Sequence, residues 1–78
     1  MDQHQLRKIL EEEGFRTDCY DLDGGLPPEK YVLSEEGGLW RVYYSEHGLQ
    51  SGMRQFSFES DACAHLLDIL RKDTSAKR

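Results

Sequence analysis

The 78-residue sequence is poor in cysteine and proline, with two of each, and it holds no apolar run near the roughly 20 residues of a membrane-spanning helix. Two cysteines, Cys19 and Cys63, are too few for a disulfide-stapled scaffold. The opening Met1-Asp2-Gln3-His4 lacks the basic-then-apolar pattern of a secretory leader. The expectation is therefore a cytoplasmic chain with reduced thiols. Positive charge is also scarce, ten bases against fifteen acids for a net −5, which disfavours phosphate backbones and anionic membrane surfaces as partners. Neither a Walker loop nor a Gly-x-Gly-x-x-Gly run is present, so no phosphate cradle is expected.

What remains is enough for one small core. Hydrophobic residues make up 37 % of the chain and include one Trp, four Tyr and three Phe. This excludes a disordered polymer and leaves no room for a second domain. Residues 1–72 are expected to form a single α+β domain, followed by a disordered tail over residues 73–78.

Periodicity supplies the elements. Leu6, Ile9 and Leu10 line one face of a helix from about Gln3 to Glu13, with Asp2 as its N-cap and Gly14 ending it so that Phe15 folds back. Thr17 to Leu22 reads as a short strand. Asp23-Gly24-Gly25 is a turn, and Leu26-Pro27-Pro28 an extended surface loop. Tyr31 to Ser34 and Leu39 to Ser45 are strands joined through Gly37-Gly38, a tight-hairpin signal. Alternation in the second puts Trp40, Val42 and Tyr44 on the core face and Leu39, Arg41 and Tyr43 on the other. Glu46 to Gly52 reads as a loop, and Met53 to Phe58 as a last strand with Phe56 and Phe58 on one side. A second helix runs from Ser60, its N-cap, to about Lys72, burying Cys63, Leu66, Leu67 and Leu70. The expected architecture is an antiparallel three- to four-stranded meander with an N-terminal and a C-terminal helix packed on one face.

The charge is unevenly distributed. Residues 11–36 carry nine acids and two bases, a local −7, which leaves eight bases, six acids and +2 for the rest. Such a field attracts basic partners. Arg41 and Tyr43 on a wet sheet face would add residue types in which protein-binding energy concentrates, although the same pair also serves ordinary cross-strand packing.

Catalytic and metal chemistry find little support. Asp18, Asp21 and Asp23 invite a calcium-loop reading, but the twelfth position counted from Asp21 is Val32, where a bidentate Glu is required. His4, Cys19, His47, Cys63 and His65 show no zinc-ligand spacing. Glu46-His47 has no neighbouring nucleophile to activate. Arg41, Arg54 and Tyr43 are a weak basis for stacking single-stranded bases beside so acidic a segment. No catalytic residue, metal or cofactor is expected.

At Gly24-Gly25-Leu26-Pro27, Tyr43-Tyr44-Ser45-Glu46-His47-Gly48 and Phe58-Glu59-Ser60-Asp61-Ala62-Cys63, the chain resembles the small bacterial immunity proteins encoded beside polymorphic and contact-dependent inhibition toxins. The resemblance spans roughly residues 14–70. It implies a tight inhibitor of one cognate toxin, often a nuclease, whose basic cleft an acidic surface would occlude. In that family's pattern an Arg usually stands where this chain has His47, which implies a weaker or pH-dependent version of any partner contact made there. On this reading the partner-binding residues are Asp18, Asp21, Asp23, Glu35, Glu36, Arg41, Tyr43, Glu46 and His47, on a monomer or weak homodimer. The alternative is a non-enzymatic adaptor that docks a peptide or protein on its sheet.

Overall fold

The computed structural model describes residues 1–24, 29–46 and 48–73. Helix α1 (Gln3–Glu12) starts in a capping box: the Asp2 carboxylate accepts the Gln5 N–H at 2.9 Å, and the Gln5 side chain accepts the Asp2 N–H at 3.0 Å. It stops at Gly14, whose φ of +80° lets Phe15 N–H reach back to the Leu10 carbonyl and Gly14 N–H to that of Glu11. That closure carries Phe15 onto the apolar stripe, where it is buried with Leu6 and Leu10.

Four strands follow: β1 (Tyr20–Asp21), β2 (Lys30–Glu36), β3 (Leu39–Glu46) and β4 (Leu49–Phe56), arranged in that order across one sheet. The β2–β3 hairpin turns on Gly37-Gly38, both with positive φ. β3 and β4 are also antiparallel. The β1–β2 pair is parallel, so the sheet is mixed where an all-antiparallel meander was expected. The first strand is also shorter than the expected Thr17–Leu22: its ladder ends at Asp21, whose side chain turns back to accept the Asp23 N–H at 2.8 Å.

Part of the expected Glu46–Gly52 loop is strand. Only its start makes the turn, with Gly48 at φ +79°, and β4 begins at Leu49. Gly52 belongs to a bulge instead. Between the pairs Val42↔Arg54 and Tyr44↔Ser51, β3 spends one residue, Tyr43, and β4 spends two, Gly52 and Met53. β4 stops at Phe56, so Phe58 is a largely exposed N-cap of helix α2 (Glu59–Lys72), displacing Ser60 from that role.

α2 lies over β2, β3 and β4, with α1 beside it, and the two helices run parallel. Their starts are tied by Gln3 N–H donating to the Glu59 carboxylate at 2.9 Å, and their ends by Arg71 gripping the Glu13 carboxylate. Leu33 and Val42 from the sheet meet Leu6, Leu10, Ala62, Cys63, Leu66, Leu67 and Leu70 from the helices in one core, with Trp40 and Phe56 half-buried at its margin. Among the described residues no helix is long and apolar enough to cross a membrane.

The Leu26-Pro27-Pro28 loop, His47 and residues 74–78 of the expected tail lie outside the described residues. Asp73, assigned to that tail, is ordered by contact. Its N–H reaches the Ile69 carbonyl at 3.1 Å, and its carboxylate accepts the Tyr31 hydroxyl, also at 3.1 Å.

Candidate functional site: an acidic cleft between two tyrosines

A tight two-residue turn at Gly37-Gly38 dictates the β2–β3 register, which brings Tyr31 opposite Tyr44. Their rings meet edge to face with centroids 4.9 Å apart. Around them lies a cleft of about 260 Å³ lined by Arg16, Asp18, Cys19, Glu29 and Asp73 as well as the two tyrosines. Each wall has a local cause. Gly14 ends α1 so that the chain passes through Arg16–Cys19 into β1. Tyr31 N–H then bonds the Cys19 carbonyl at 2.9 Å, which fixes this segment against β2. Glu29 enters β2 with φ +51°, a left-handed geometry uncommon outside glycine. Asp73 arrives from the end of α2.

The cleft is electronegative. Asp18 is ion-paired with Arg16 at 3.0 Å, and this partner holds its carboxyl below the usual range. Burial, and then the charges of Glu29, Glu46 and Asp73, push the Tyr44 phenol up. Burial and the bond to Asp73 raise Tyr31 as well. The Cys19 thiol is raised by burial and by Asp18, so it stays protonated near neutrality, the opposite of what a nucleophilic cysteine needs. Both helices, running parallel, aim their C-terminal ends at this end of the sheet, and each contributes a partial negative charge of roughly half an electron. Among the described residues no group of three His, Cys, Asp or Glu side chains is placed to hold a metal.

Of the residues expected from sequence to bind a partner, Asp18 and Glu46 belong to this end of the molecule. The others are dispersed. Asp23 pairs with Arg7 at 3.6 Å. Glu35 accepts the Gly38 N–H at 3.3 Å in the hairpin turn, and Glu36 pairs with Arg41 at 2.7 Å. Glu35, Glu36 and Arg41 lie three to five residues further along their strands than Tyr31 and Tyr44, roughly 10–17 Å from the cleft.

The expectation for the far face requires correction. Arg41 and Tyr43 do point away from the helices, but Tyr43 is only 4 % exposed and the Arg41 side chain 28 %. Val32 and Ser45 are fully buried on the same face. The Tyr43 hydroxyl lies beside Ser34 and Gln50, and its phenol is raised by burial and by Asp21. Gly24 passes over Ser34 so closely that an added Cβ would stand 3.0 Å from its Oγ. This face is therefore covered where a wet contact surface was expected, and the adaptor reading loses its aromatic anchor.

Sequence reasoning missed Glu29, Tyr31, Tyr44 and Asp73 as site residues. The signal for the tyrosines was present: counting outward from a Gly37-Gly38 turn pairs 36 with 39 and, five steps on, 31 with 44. A second hollow, about 570 Å³ and wide open, follows the outer flank of α1 along Gln5, Lys8, Ile9 and Glu12 and gathers no comparable set of groups. No family model, curated protein or solved structure matches the chain.

Proposed function

We propose that this chain is a small non-catalytic inhibitor of a basic protein, an immunity protein of the kind it resembles, and that the tyrosine-walled acidic cleft receives a Lys or Arg side chain of its toxin. The observation that carries this reading is the gathering of Asp18, Glu29 and Asp73 around Tyr31 and Tyr44, with Glu46 close to Tyr44. Carboxylates supply attraction at a distance, and aromatic faces hold a desolvated cation at contact. The cleft has room for one such side chain, and the parallel helix dipoles reinforce its field. A nuclease-type toxin must present basic residues to phosphate, so a protein that engages those residues excludes substrate by occupying their place. The inhibitor would act in the cytoplasm, one to one with the toxin.

The test is calorimetry and stopped-flow association with the toxin encoded beside this gene, repeated with Asp18→Lys/Glu29→Lys. Tight binding by the wild type, with association slowed by roughly tenfold or more at low salt in the double variant, supports the proposal. Flat titrations against every neighbouring gene product, or association unaffected by the two reversals, overturns it.

A further inference from the structure

β4 has β3 on one side and, among the described residues, no strand on the other. Leu49 through Gln55 are all exposed, Leu49 at 72 % and Met53 at 39 %. Edge strands of this length are normally blunted by lysine, proline or charge, because their unpaired N–H and C=O groups invite another strand. β4 has no lysine or proline and only one charge, Arg54.

Its sequence and its bulge together specify which strand fits. In a regular strand, residues seven apart point to opposite faces. The extra residue at Gly52-Met53 cancels that offset. Leu49, Ser51, Arg54 and Phe56 all share the helix-side face, opposite Glu46, Tyr44, Val42 and Trp40, while Gln50 and Gln55 share the other. Leu-Gln-Ser-Gly-Met-Arg-Gln-Phe is therefore self-complementary in space about the Gly52–Met53 midpoint. We propose that β4 pairs antiparallel with β4 of a second copy about a two-fold axis through that point, joining two four-stranded sheets edge to edge.

In this register Leu49 meets Phe56, Gln50 meets Gln55 and Ser51 meets Arg54, each across the axis and each on a common face. The exposed Leu49 gains an apolar neighbour, the amides can bond one another, and the single charge of the strand never faces its own copy. The opposite edge, β1, has only two residues and offers no competing ladder. The tyrosine cleft is left out of the interface, so the pairing stands apart from the proposed inhibition.

Sedimentation equilibrium of the full chain, from micromolar to millimolar concentration, tests this. The wild type should rise from 9.1 kDa toward twice that mass. Ser51→Lys sets a cation against Arg54 twice per dimer and should weaken association roughly tenfold, whereas Ser51→Glu should strengthen it by a similar factor. Ser51→Lys/Arg54→Glu should restore it. Ser51 is exposed, so unchanged circular dichroism separates these effects from misfolding. A wild type that stays monomeric at millimolar concentration overturns the proposal, including when β4 takes up a strand of another protein instead. Equal responses to Ser51→Lys and Ser51→Glu would overturn the register and with it the argument from the bulge.

Discussion

β3 and β4 are neighbours of equal length in one sheet, yet one is the most enclosed strand of the molecule and the other the least. β3 has α2 above it, β2 and β4 on its flanks and a covered far face, so Val42, Tyr43 and Ser45 are all buried. β4 carries Leu49, Met53 and Phe56 and buries none of them fully. Side-chain character alone does not separate the two. What separates them is the number of elements laid against each, because apolar residues are buried only where another layer arrives to cover them.

The sharpest way to break this contrast is to substitute two residues that face one another across it. Val42 and Arg54 are cross-strand partners. Val42→Ala should cost about 2–3 kcal/mol, from lost transfer energy plus a cavity, while Arg54→Ala should stay within about 0.5 kcal/mol, as read from urea unfolding midpoints. Comparable losses would mean that β4 is covered in solution. Trp40 and Phe56 form the next pair, both half-buried. Trp40→Ala should cost about 2 kcal/mol, below the range for a fully buried aromatic, and a loss beyond that range would place Trp40 inside the core.

Smaller effects sharpen the comparison. Tyr31→Phe removes the bond to Asp73 that joins β2 to the end of α2, and should cost about 1 kcal/mol in the same unfolding assay. On the β4 side, α2 contributes His65, whose ring stands 5.2 Å from that of Phe56. Burial, helped by Arg54, holds the imidazole below its ordinary 6.5. The unfolded chain then takes up a proton first as pH falls, so stability should decline as pH drops below 6.5. His65→Gln should flatten that limb of the stability–pH curve; an unchanged slope would show that the β4–α2 seam is looser than drawn.

Both helices, the hairpin at Gly37-Gly38 and the inward direction of Val42 were legible in the sequence because each rests on a local signal: a 3.6-residue stripe, a glycine pair, a two-residue alternation. The parallel β1–β2 pair was not legible, since two residues are too few to encode a direction. β4 was read as half loop because Gly48 and Gly52 look alike in sequence, although the first makes a turn and the second a bulge. The burial of Tyr43 was hidden because the cover over its face comes from elsewhere in the chain. The candidate site was legible in part. Charge counting found Asp18, and the Tyr43–Gly48 motif of the resemblance supplied Glu46, but the charge count also gathered Glu35 and Glu36, which a seven-residue strand carries to the opposite end.

The two thiols have unlike surroundings. Cys63 is fully enclosed, with its thiol pushed up to about 11, while Cys19 sits half-covered on the rim of the tyrosine cleft. A maleimide dye applied to the folded protein at mildly alkaline pH, where the raised Cys19 thiol begins to ionise, should therefore attach at one position. The natural chain thus carries its own fluorescence handle next to the surface where a bound cation would be sensed, and no engineered cysteine is needed to watch that surface fill.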